Sequence, residues 1–80
     1  MGIMYEFKIG DVVKFTSSAY GMNYAVVVDV NFYRDVGYQK LDLIDYDKRR
    51  HLEVRKHRCV LIEDKIKIHK VKLKVFGNGV

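Results

Sequence analysis

Residues 24–32, YAVVVDVNF, decide the fold class because β-branched or aromatic residues occupy every second position. Side chains alternate between the two faces of a strand, so one face of this segment would be entirely apolar. That set consists of Tyr24, Val26, Val28, Val30 and Phe32. The sequence therefore predicts a central β-strand with these five side chains facing the core.

Shorter alternating runs surround this strand on both sides. They occupy residues 7–15, 38–45, 50–56 and 59–62, and turn-forming residues separate them. Strands at such short intervals are typical of small barrels and sandwiches, and a chain of 80 residues is too short for an ordinary sandwich. We therefore expect an all-β fold, a small, strongly bent barrel of five short antiparallel strands over residues 7–62.

The segment KIKIHKVKLKV, residues 65–75, alternates lysines with apolar residues and is called the lysine-rich segment below. Its alternation changes phase at His69-Lys70, which a β-bulge would correct. Helical spacing fits this stretch less well than alternation does. The sequence therefore predicts a sixth strand with all five lysines on one side, within a C-terminal extension (63–80) of a single domain (1–80).

The charge of the chain is unevenly distributed along the sequence. Residues 1–47 carry four Lys and Arg against seven Asp and Glu, whereas residues 48–80 carry eleven against three. The two parts therefore have net charges of −3 and +8. This asymmetry favours a polyanionic or acidic partner for the C-terminal part.

The order of the predicted strands resembles the SH3-like small barrels of the Tudor and KOW kind, over about residues 7–62. The segments that carry the resemblance are GDVV (10–13), YG (20–21), AVVV (25–28), LEV (52–54) and VLI (60–62). The resemblance implies a non-enzymatic binding module for nucleic acid, for a protein surface, or for a peptide held in an aromatic cage.

Two basic clusters are the candidate nucleic-acid site, because arginines can fork onto phosphates and a row of lysines gives salt-dependent affinity. Exposed tyrosines near the strand ends could stack unpaired bases. The candidate phosphate-binding residues are Lys48, Arg49, Arg50, Arg55, Lys56, Arg58, Lys65, Lys67, Lys70, Lys72 and Lys74. The candidate stacking residues are Tyr33, Tyr38 and Tyr46.

Other interpretations of the same residues remain open. Lysines on an edge strand also prevent aggregation between sheet edges, and the basic turn at residues 48–50 could pair with nearby acids. Alternatively, the protein is an interaction adaptor, whose C-terminal strand docks on an acidic partner or pairs with its own copy in a homodimer. DNA and RNA are not distinguished by the sequence.

Several classes of site find no support in the sequence. His51, His57, Cys59 and His69 lack the spacing of common zinc sites, and no phosphate-binding glycine loop or nucleophile elbow is present. We therefore expect no metal, no cofactor and no enzymatic activity. A single cysteine and the lack of a long apolar run predict a cytoplasmic protein without membrane attachment.

Overall fold

A computed structural model of the chain describes residues 6–17, 21–33, 38–47 and 50–77. Its strands are β1 (Val12–Ser17), β2 (Gly21–Tyr33), β3 (Tyr38–Asp45), β4 (His51–Arg55) and β5 (Cys59–Leu61). A 3-10 turn (Lys56–Arg58) joins β4 to β5, and a helix, α1 (Lys65–Phe76), follows. The strands pair antiparallel in the order β4-β3-β2-β1-β5, which confirms the five antiparallel strands.

The sheet is open, so the predicted closed barrel is wrong. β4 and β5 lie at its two edges, and no pairing joins them within the described part of the chain. β2 spans 13 residues and joins the two parts of the sheet, because its residues 21–26 pair with β1 and its residues 25–33 pair with β3. The turn before β1 is fixed to the same strand: Gly10 adopts a φ of 97° and its N–H donates to the Val27 carbonyl.

Both faces of β2 are buried near its middle, so the prediction of a single apolar face was incomplete. Ala25 and Val27 lie in the core on one side, and Val26 is equally buried on the other. A bulge at Val28 shifts the register, and Val30 therefore packs on the same side as Val27. A continuous apolar run of this kind is typical of a strand covered on both sides.

The main core lies on the side of Val27. It contains apolar side chains from all five strands together with one residue that precedes the first strand. Its buried members are Phe7, Val13, Phe15, Ala25, Val27, Leu41, Leu43, Val54 and Cys59.

The lysine-rich segment forms the helix α1, so the predicted sixth strand and its bulge are wrong. Val71 and Val75 are buried against Val12 and Val26, and Ile68 packs partly against them. These contacts form the second cluster, on the sheet face opposite the main core. A helix is more favourable than a strand here because it places residues 68, 71 and 75 on one side. These residues then cover an apolar sheet face that would otherwise be exposed to water.

Residues at both ends of α1 fix its boundaries. The Asp64 side chain accepts hydrogen bonds from the backbone N–H groups of Ile66 (2.9 Å) and Lys67 (3.3 Å). At the other end, Gly77 adopts a φ of 79° and its N–H donates to the Leu73 carbonyl. Among the described residues, no helix has both the length and the apolar character needed to cross a membrane.

Candidate nucleic-acid interface

An open cleft of about 370 Å³ lies where the end of β4 and the 3-10 turn approach the end of β1. Arg55, the last residue of β4, and Arg58, the last of the 3-10 turn, both line it. The cleft is called the basic cleft below, and its lining residues are Thr16, Ser17, Lys40, Glu53, Val54, Arg55 and Arg58.

The sheet positions the charged groups of the basic cleft. Lys40 of β3 and Arg55 of β4 are direct cross-strand partners, so their side chains leave the sheet on the same face. The Lys40 ammonium contacts the Glu53 carboxylate at 3.1 Å. Three cations therefore line the cleft against one carboxylate, and the hydroxyls of Thr16 and Ser17 add hydrogen-bonding groups that suit an anion.

Arg50, a predicted phosphate ligand, is engaged in a structural ion pair instead. Its Nη2 donates to Oδ2 of Asp45 at 2.8 Å, and its backbone N–H donates to Oδ1 of the same carboxylate at 2.8 Å. Asp45 is completely buried, whereas the Arg50 side chain is 30% exposed. A phosphate at Arg50 would therefore have to compete with a buried carboxylate.

The five lysines of α1 do not form a single row. At about 100° per residue, Lys65 and Lys72 project from one flank of the helix, and the other three project from the opposite flank. The ammonium of Lys67 lies 4.5 Å from the centre of the Tyr24 ring, a cation–π contact on the sheet. The predicted placement of all five lysines on one side is therefore wrong, and their role in nucleic-acid binding stays a prediction.

The remaining predicted residues are placed as follows. Tyr46 is half-buried and packs against the second cluster, so its ring supports the helix–sheet contact. Tyr33 and Tyr38 are cross-strand partners at the ends of β2 and β3, and their side chains lie outside what the structure describes. Lys56 is half-buried on the 3-10 turn. The predictions for Lys48 and Arg49 fall outside the described residues.

Three residues of the basic cleft that can attract an anion were missed in the sequence. Lys40, Thr16 and Ser17 lie far from the basic clusters along the chain. Lys40 meets Arg55 through the pairing of β3 with β4, and the pairing of β1 with β5 holds Thr16 and Ser17 near Arg58. Lys40 lies in an unremarkable alternating run, so only a correct β3–β4 register could have indicated its role.

Cys59 and the histidines do not assemble into a metal centre in the described part of the chain, where no group of three or more His, Cys, Asp or Glu side chains comes together. Cys59 is buried in the main core, and its thiol lies 3.7 Å from the Arg55 carbonyl. Burial raises the pKa of the Cys59 thiol from its ordinary value of 9.0 to about 12. The thiol is therefore protonated at neutral pH and is a poor nucleophile or metal ligand.

We expect Cys59 to make stability decrease at high pH. Since folding raises the pKa, the thiol favours the folded state fully below pH 9, and this contribution is lost between pH 9 and about 12. Urea unfolding of the wild type and of Cys59→Ala, measured below and above pH 9, should show that the stability gap between them narrows as pH rises. A gap independent of pH would contradict a buried, protonated thiol.

Comparisons of this chain with protein-family models, with curated proteins and with solved structures found no match.

Proposed function

We propose that the protein is a non-catalytic nucleic-acid-binding module in which the basic cleft holds a backbone phosphate. The observation that supports this proposal is the convergence of Arg55, Arg58 and Lys40 on one open cleft beside the hydroxyls of Thr16 and Ser17. Guanidinium groups bind phosphate oxygens through two parallel hydrogen bonds, and hydroxyls add further donors. The open shape suits a continuous chain better than an enclosed small molecule.

The proposed interface differs from the one predicted from sequence. Arg55 and Arg58 remain its centre, while Arg50 takes a structural role and the lysines of α1 contribute by general attraction. The excess of positive charge in residues 48–80 raises the association rate with any polyanion. The binding experiment described below distinguishes DNA from RNA as the ligand.

We also propose the finer classification as an SH3-like module of the Tudor and KOW kind over residues 7–62. Its support is the strand order, in which β2 is shared between a β1–β5 half and a β3–β4 half, with a short 3-10 turn between β4 and β5. A cytoplasmic location remains part of this proposal, supported by the single free cysteine.

The binding test is fluorescence anisotropy of labelled single- and double-stranded DNA and RNA at several salt concentrations. We expect log affinity to fall linearly with log salt, with a slope that reports the number of phosphate contacts. The variant Arg55→Glu/Arg58→Glu should lose at least about tenfold in affinity, because it removes two cations and places two carboxylates beside the phosphate.

The control is Lys8→Glu/Lys14→Glu, which changes the net charge by the same amount at two positions outside both the basic cleft and the candidate phosphate-binding residues. We expect it to weaken binding by less than about threefold at moderate salt, since distant surface charges are screened. Equal losses in both variants would show that binding follows net charge and would overturn the basic cleft. No binding at low salt would overturn the nucleic-acid proposal itself.

A further inference from the structure

The helix α1 exposes a second apolar face that points away from the sheet. Ile66 is 71% exposed, Leu73 is 41% exposed and Phe76 is 39% exposed. His69 is exposed between them. In chain order, residues 66, 69, 73 and 76 are three, four and three residues apart, which is the spacing of a coiled-coil seam. These four residues are called the outer stripe below.

We propose that the outer stripe docks an acidic amphipathic helix of a partner protein. With Ile66 at position a of a heptad, His69 and Phe76 occupy d and Leu73 occupies the next a. The positions e and g beside this seam are then the three lysines Lys65, Lys70 and Lys72. Because e and g residues set the choice of partner, the matching helix carries Glu or Asp at its own e and g positions.

Charge excludes a second copy of this helix as the occupant. The segment 65–76 holds five lysines and no acidic residue, so parallel and antiparallel pairing both place lysines opposite lysines. Like charges across such a seam disfavour association and act as a specificity device. The predicted homodimer through a C-terminal strand is therefore replaced by a hetero-association through a helix.

The width of the outer stripe favours a helix over a lipid surface. Its four residues span about 80° of the helix circumference, which is the narrow seam of a two-helix contact, whereas a face that lies on a membrane is broader. Nucleic acid requires only the lysines and gives no reason to expose Ile66. A contact of about three helical turns is short, so we expect micromolar affinity.

The test uses a synthetic peptide of about three heptads, with Leu at a and d and Glu at e and g, titrated into the full chain by isothermal calorimetry. A second peptide with Lys at e and g is the matched control. We expect the acidic peptide to bind and the basic peptide to fail. The exposed double substitution Ile66→Ser/Leu73→Ser should weaken binding at least about tenfold without loss of the fold.

A charge swap makes the test independent of stability. In the variant Lys65→Glu/Lys70→Glu/Lys72→Glu, preference should reverse towards the basic peptide. Failure of the acidic peptide to bind the wild type, or binding that survives Ile66→Ser/Leu73→Ser, would overturn the proposal. So would association with phosphatidylserine vesicles that depends on Ile66 and Leu73 when neither peptide binds, because the occupant would then be a lipid surface.

Discussion

Val71→Asp should destabilise the protein by about 3–5 kcal/mol, the largest effect that we expect from one substitution in α1. Val71 has no exposed surface, and its side chain packs from α1 against β1 and β2. The substitution removes a buried apolar side chain and places a carboxylate without a partner in the same position. Urea unfolding followed by circular dichroism measures the change in the free energy of unfolding.

Leu73→Asp is the matched control, because it introduces the same side chain two residues away on the outer stripe. Leu73 is 41% exposed, so we expect a change of less than about 1 kcal/mol. In a strand, residues 71 and 73 would share one face and the two variants would behave alike. Equal destabilisation by both substitutions would therefore contradict the helix.

Asp45→Asn should cost about 2–4 kcal/mol. The buried carboxylate accepts hydrogen bonds on both oxygens, from the backbone N–H and from Nη2 of Arg50, and so closes the connection between β3 and β4. An amide offers one oxygen only, and its NH₂ group would face a donor of Arg50 inside the protein. Because Arg50 is partly exposed, the loss is smaller than for a fully buried ion pair.

The Lys40–Glu53 ion pair is the exposed counterpart with which the buried Asp45–Arg50 pair is compared. Both side chains are partly exposed, at 26% and 39%, and the distance is 3.1 Å. Glu53→Gln should change stability by less than about 1 kcal/mol, the range of surface salt bridges. If Asp45→Asn and Glu53→Gln shifted the urea midpoint of unfolding by similar amounts, burial of Asp45 would not be the source of its contribution to stability.

The strands were predictable because alternation and turn residues act locally. Val13, Phe15, Leu41 and Leu43 face the main core as their spacing predicts. The assignment of a single core face to β2 failed, because Ala25 and Val27 lie in the main core and Val26 lies in the second cluster. The bulge at Val28 was also missed, since a bulge is set by how two strands pair and leaves no mark in the sequence of one of them.

The helix was missed although the sequence contained evidence for it. Asp64 is a favourable N-cap, and Gly77 follows the last turn as helices often require. The alternation of residues 65–75 outweighed these residues in a local analysis, even though it needed a bulge to remain regular. The deciding factor was tertiary: the face of the sheet that contains Val12 and Val26 had to be covered.

Only the part of the basic cleft that is local in sequence could be predicted. Arg55 and Arg58 are close in sequence and belong to a visible basic cluster, whereas Lys40 and Thr16 join them only through strand pairing. Arg50 belongs to the same cluster and was indistinguishable from a ligand, because its partner Asp45 is recognisable as buried only in the folded sheet.

The position of β1 between β2 and β5 has a consequence for how the chain folds during synthesis. β1 can pair with β2 as soon as both have left the ribosome, but its other edge waits for β5, in which Cys59 pairs with Phe15. Until then, an unpaired edge beside Val13 and Phe15 is open to other nascent chains. The last strand to be translated therefore shields one of the first, and α1 follows by covering the back of the same strand.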